Sequence, residues 1–234
     1  MSTYDIQNAK RIIAAVRSQG RRNLNEAESK DVLRCFGIHV NKFILIGPGQ
    51  GPGKALKELN FPVVIKILSA DIIHKSDLGF VRTNLCNEQS VRRELDEMKR
   101  LAEHLQINNV QGYVLQEHIN GIELIAGAIN DERFGPCVMI GMGGIHVEVY
   151  RDVRFAQAPI DEYVADEMLK SLKGRAILEG ARSKTRPNSK KIKQVLLRLS
   201  DLILTLTDVR EVDINPLIVN ESDATAVDAR ITLR

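Results

Sequence analysis

Near its C-terminus the chain alternates in steps of two, and that pattern leaves few folds open. Val212 and Ile214 interleave with Glu211, Asp213 and Asn215, and Val227, Ala229 and Ile231 interleave with Asp228 and Arg230. Successive side chains of a strand point to opposite faces, so each run has an apolar face for a core and a charged face that stays outside it. A turn centred on Glu221-Ser222 pairs the two runs as an antiparallel hairpin and sets Asn215 across from Asp228, side chains about 5 Å apart. Two hard oxygen donors at that spacing suit Mg²⁺, which keeps waters and takes phosphate oxygens for its remaining positions. A slip of one residue would part them, so the expectation rests on the turn.

A second strand-like run, Phe61-Pro62-Val63-Val64-Ile65-Lys66-Ile67-Leu68, has one ammonium among apolar side chains. Alternation puts Val64, Lys66 and Leu68 on one face and Val63, Ile65 and Ile67 on the other. A buried ammonium is costly without a counter-charge, so Lys66 calls for a carboxylate or an anionic ligand. Just downstream, Ile72-Ile73-His74-Lys75-Ser76-Asp77-Leu78-Gly79 gathers an imidazole, an ammonium, a hydroxyl and a carboxylate in one loop. A His of ordinary pKa, about 6.5, is largely neutral near pH 7 and is then a nitrogen nucleophile. Lys75, Ser76 and nearby backbone N–H groups could hold a phosphoryl group against His74. The plainer reading of the same loop is a polar surface turn.

Helical periodicity runs through Ile6, Ala9, Ile12, Ile13 and Val16 up to Gly20. A second helix over Glu26–Phe36 opens on the capping-box pair Asn25 and Glu28 and stops at Gly37. Strands are expected at 43–46, 81–85, 110–117, 122–129 and 138–140, with Val147-Glu148-Val149 after them, and helices at 88–105, 161–172 and 190–206. The connector His118-Ile119-Asn120-Gly121 is flanked by Glu117 and Glu123, an arrangement that could hold adenine by backbone groups and a ribose by a carboxylate. Gly141-Met142-Gly143-Gly144 suggests a close backbone approach or a simple turn. Gly47-Pro48-Gly49-Gln50-Gly51-Pro52-Gly53-Lys54 is not a phosphate-binding Walker loop, because Pro48 and Ala55 stand where that motif needs Gly and Ser or Thr.

Several function classes drop out on composition. A formal charge of +3, no Trp and 4% aromatic residues do not describe a nucleic-acid binder. No run of about 18 apolar residues suggests a membrane span, and no signal-peptide pattern opens the chain, so a cytoplasmic location is expected. Cys35, Cys86 and Cys137 are odd in number and widely spaced, which suits reduced thiols rather than a zinc site. The basic stretch from Arg175 to Lys193 reads as a solvated surface before a phosphate contact.

Taken in order, the His74 loop, Phe134-Gly135-Pro136 to Gly141-Met142-Gly143-Gly144-Ile145, Glu211-Val212-Asp213-Ile214-Asn215-Pro216 and Val227-Asp228-Ala229-Arg230 resemble the β subunit of ADP-forming acyl-CoA synthetases almost from end to end. The resemblance implies an α+β ATP-grasp fold, one module over 1–234 with two lobes near 21–116 and 117–234 and a helix over 1–20. It implies conversion of acyl-CoA, ADP and phosphate to acid, CoA and ATP, with a CoA-binding α subunit as partner, an α2β2 assembly, and Mg²⁺ with ATP or ADP bound. Carried over by residue, His74 is the phosphohistidine and Arg230 offsets charge on the transferring group. Lys66, Lys75 and Ser76 meet phosphates; Glu117, Ile119 and Glu123 frame adenine and ribose; Asn215 and Asp228 hold the metal. The chain departs from the family at Phe80 and Ser183, where glycines are usual, and in its 47–53 loop. Phe80 motivates a second reading, a non-catalytic nucleotide-binding subunit. A third, a carboxylate–amine ligase, leaves the His74 loop without a role.

Overall fold

The computed structural model describes residues 4–69, 72, 75, 78–144, 152–180 and 186–234. Its contacts divide the chain into two units, one made of the residues up to Val40 with Ile119–Arg234, the other of Asn41–His118.

In the larger unit, α1 (Ile6–Ser18) starts at Asp5, whose side chain accepts from the Asn8 N–H, and α2 (Glu26–Cys35) starts at the expected capping box of Asn25 and Glu28. The smaller unit holds β1 (Phe43–Ile46), a 3₁₀ turn at Gly53–Glu58, β2 (Val63–Ser69), β3 (Val81–Leu85), α3 (Glu88–His104) and β4 (Val110–Glu117). Back in the larger unit come β5 (Ile122–Asp131), β6 (Gly135–Met142), β7 (Val153–Gln157), α4 (Glu162–Lys170), α5 (Arg175–Leu178), α6 (Ser189–Thr205), β8 (Val209–Val219), β9 (Ala224–Ala226) and β10 (Ala229–Leu233). No described helix is long and apolar enough to cross a membrane. The expected Val147–Val149 strand lies outside the described residues.

The smaller unit is an antiparallel sheet of order β1-β4-β2-β3. Val63, Ile65 and Ile67 of β2 pack with Val91, Leu95 and Met98 of α3 in one apolar cluster, which is the stripe that the helical periodicity predicts. The larger unit is an antiparallel sheet of order β10-β8-β5-β6-β7, with β9 added beside β8. One face of it, including Leu124, Ala126, Ala128, Val212, Ile214, Ala229 and Ile231, is buried with Val195, Leu196 and Leu199 of α6 and with residues of α1 and α2.

The outer side of β10 is covered. The Leu24 N–H donates to the Ile231 carbonyl (2.9 Å), the Leu233 N–H to the Arg22 carbonyl (2.7 Å) and the Ile231 N–H to Ser29 Oγ (3.2 Å). An open strand edge would leave these groups unpaired. Residues 21–40 therefore belong with 119–234, which differs from the expected lobe over 21–116.

Candidate functional site

The hairpin is paired as its alternation dictates. Ala229 faces Ile214 and Arg230 faces Asp213, while further along Leu217 faces Ala226, Ile218 faces Thr225 and Val219 faces Ala224. The same register runs through both stretches, so Asn215 stands opposite Asp228, and the Asn215 N–H donates to the Asp228 carbonyl at 3.2 Å. The turn falls at Glu221-Ser222, where the Asn220 side chain accepts from the Ser222 and Asp223 N–H groups (both 3.0 Å). Because Val212, Ile214, Ala229 and Ile231 are buried in the core, the opposite face carries Glu211, Asp213, Asn215 and Arg230, with Asp228 at the head of β10.

Asp213, like Glu211, is absent from the expected site residues, although the alternation already put it on the right face. Its pKa is pushed up to about 6, first by burial, then by the charges of Glu211 and Asp228, with Arg230 opposing the rise through space. Carboxylates crowded enough to disfavour one another's ionised form make a place that a divalent cation relieves. Among the described residues no three His, Cys, Asp or Glu side chains converge on one point, so a closed structural metal cage is not present there. The oxygen donors of Asn215 and Asp228 are of the kind that could hold a hydrated Mg²⁺.

Other residues of the larger unit gather around Glu123, which is exposed near the start of β5. Its carbonyl accepts from the Gly143 N–H at 2.8 Å, and a Cβ on Gly143 would sit 2.6 Å from that carbonyl oxygen. The close approach foreseen for the Gly143-Gly144 turn is therefore to the backbone of Glu123. Ile119 is half-buried in the connector that precedes β5.

In the smaller unit, Lys66 lies on the sheet face opposite the apolar cluster and is 5% exposed. It pairs in register with Val114 and Val81, and Gln116, also buried, shares its face two residues along β4. Glu117 ends β4, where its Oε1 accepts from the backbone N–H (2.9 Å) and the side-chain Nδ2 (3.0 Å) of Asn60. Lys75 is half-buried, and its carbonyl accepts from the Phe80 N–H at 2.7 Å. His74 and Ser76 lie outside the described residues, as do Arg182, Ser183 and Lys184.

Phe80 corrects one expectation. Its ring is fully buried in the apolar cluster of the smaller unit together with Ile72, on the α3 side of the sheet and away from the face that carries Lys66. A large side chain here fills core, so it does not stand in the way of a phosphate, and the motive for a non-catalytic subunit falls away.

An antiparallel sheet with a carboxylate, amide and guanidinium face, in a chain whose other α+β unit has a buried lysine, is the equipment of an ATP-grasp protein. The chain belongs to that family: the model described as ATP-grasp domain matches residues 15–233. Within it the chain belongs with the β subunits of ADP-forming CoA ligases. It is 36% identical over 230 residues to subunit β of the ADP-forming acetate–CoA ligase I of Pyrococcus furiosus, covering 97% of this chain and 99% of that one. Among solved structures it is similar to acetyl-coenzyme A synthetase 1 of Ca. Korarchaeum cryptofilum in complex with coenzyme A and Ca-AMPCP. There the TM-score is 0.91 and the identity 35%, with 97% of this chain and 100% of that chain covered. A second structure of that enzyme, with coenzyme A and Mg-AMPPCP, has its phosphohistidine segment pointing towards the nucleotide binding site; its TM-score is 0.83 at 35% identity, with the same coverage.

Proposed function

We propose that this chain is the nucleotide-handling subunit of an ADP-forming acyl-CoA ligase, converting acyl-CoA, ADP and phosphate to carboxylic acid, CoA and ATP with a CoA-binding α subunit, in the cytoplasm and as an α2β2 assembly. The phosphoryl group passes from a histidine of the α subunit to His74 and from His74 to ADP. In the second transfer the N–P bond to the imidazole breaks, a P–O bond forms to a terminal oxygen of ADP, and the imidazole nitrogen takes a proton from solvent. The transition state is loose, so the protein's contribution is alignment and positive charge around the equatorial oxygens.

In this scheme Arg230 offsets charge on the transferring group, Lys66 meets the nucleotide phosphates, and Lys75 and Ser76 hold the phosphoryl group beside His74. Glu117, Ile119 and Glu123 frame adenine and ribose, and Asn215 and Asp228 hold Mg²⁺. Held there, Mg²⁺ would supply positive charge to offset that of the phosphates. The observation that carries the reading is the hairpin register, which sets Asn215 against Asp228 and Asp213 against Arg230 on the face turned away from the core.

The test incubates the purified chain with γ-labelled ATP and Mg²⁺, with and without its α subunit. The expected result is acid-labile label that disappears in His74→Ala and returns to added ADP. Nucleotide binding by the complete complex without any label on the chain would sink the proposal.

A further inference from the structure

The larger unit has a cavity of about 330 Å³ on its helical side, between the end of α2, the segment 37–40, the first half of α6 and the start of β9. Three fixed cations line it, Arg34, Lys191 and Arg198, together with the imidazole of His39, against the single carboxylate of Asp223. That carboxylate is heavily shared. Its Oδ2 lies 3.0 Å from His39 Nδ1, and its Oδ1 lies 3.7 Å from Lys191 Nζ and accepts from the Ala224 N–H at 2.9 Å. Arg34 has a second carboxylate, Asp31, at 2.8 Å on its own helix, whereas Arg198 forms no ion pair among the described residues.

Arg198 is fixed by other means. Its guanidinium donates to the Gly37 carbonyl, and its Cζ lies 3.3 Å from where a Cβ on Gly37 would be. With φ at +71° and no side chain, Gly37 both makes the turn and leaves room for the guanidinium. His39 is held as well, since its Nδ1 also lies 3.2 Å from Thr225 Oγ1, so its orientation is set from that side of the ring. The floor between these charges is apolar, formed by the buried side chains of Ile38, Val40 and Val195.

A cavity of this volume is the size of a small-ligand site. Held guanidinium groups favour oxyanions, which accept from their planar fork, and positive charge in excess of the facing carboxylates selects against cations. The apolar floor leaves space for a carbon skeleton. The α6 helix packs on the core side of the sheet, so this cavity is on the other side of that sheet from Asn215, Asp228 and Arg230. We propose that the cavity between α2, α6 and β9 is a second binding site, separate from the phosphoryl-transfer face, for a multiply charged oxyanion with a small organic body.

The probes are glycerol 3-phosphate and citrate, which separate phosphate from carboxylate recognition, and sodium chloride at matched ionic strength. Each is titrated calorimetrically into the full chain with and without saturating Mg-ADP. At least one of the two organic anions is expected to saturate a single site per chain, unaffected by Mg-ADP or by Asp228→Asn, and to bind at least about tenfold more weakly to Lys191→Gln and Arg34→Gln. Arg34, exposed, and Lys191, half-buried, are the chosen variants because Arg198 also supports the 37–40 turn; their thermal unfolding checks that the fold is kept. No saturation by either anion up to about 10 mM overturns the proposal. So does competition by Mg-ADP, or binding that survives in both variants.

Discussion

Replacing Phe80 by Ala tests whether this side chain serves the core or obstructs the loop before it. The ring is completely removed from water among Ile67, Ile72, Leu95 and Met98. Transfer of a Phe side chain out of water contributes about 1.5–3 kcal/mol, and the cavity left by truncation raises the cost to about 3–5 kcal/mol. The backbone bonds at this residue, from its N–H to the Lys75 carbonyl (2.7 Å) and from the Ile67 N–H to its own carbonyl (3.1 Å), do not need the side chain and remain. The loss should therefore be confined to packing, and Phe80→Leu should recover most of it. Urea unfolding followed by far-ultraviolet circular dichroism measures the difference, with Leu78→Ala as a control at an exposed neighbour that should cost under about 1 kcal/mol. Labelling of His74 should not rise in Phe80→Ala. A cost below about 1 kcal/mol together with faster labelling would refute the argument, because it would make the ring an obstruction and not a filler.

Two further perturbations address the site and the N-terminal helix. Asp228→Asn takes a charge from the acidic face, so nucleotide binding in Mg²⁺ should weaken at least about tenfold while thermal stability holds or rises, since Asp213 loses a repelling neighbour; unchanged affinity by calorimetry would count against the metal assignment. Tyr4 donates to Asp201 at 2.5 Å, and burial, that bond and the Asp201 charge push its pKa up to about 12, so the folded state keeps a proton that the unfolded state loses above pH 10. Stability should fall between pH 10 and pH 12, by about 1 kcal/mol once solvent screening of a partly exposed ring is counted, and Tyr4→Phe should remove that part of the slope in urea titrations at pH 9 and pH 11.5. An identical slope in the variant would show that the ring does not titrate this way.

What could be foreseen from sequence follows from how local its causes are. The register of β8 and β10 was legible because alternation and a short turn determine it together, and the α2 cap because Asn25 and Glu28 are three residues apart. The extent of β6 was not, since Gly135 and Pro136 look like turn residues yet begin the strand opposite Asn130 and Asp131. Nor was the place of residues 21–40, whose bonds to β10 join positions some two hundred residues apart and leave no periodic trace. Phe80 was misjudged for a related reason: a loop motif names the residue but not the side of the sheet toward which it turns. Asp213 needed burial and three neighbours to be specified before its unusual acidity could be recognised.

The covering of β10 by Arg22, Leu24 and Ser29 also orders the assembly of the chain in time. Asn41–His118 is one continuous stretch that forms a compact unit of its own, so it can fold while later residues are still being made. The other unit has to wait, because the strand that closes its sheet runs to Leu233 and bonds to Arg22, Leu24 and Ser29, far earlier in the chain. Such widely separated pairings form slowly. Arg230 thus enters its face only after the Lys66 unit has had the chance to form on the ribosome-bound chain.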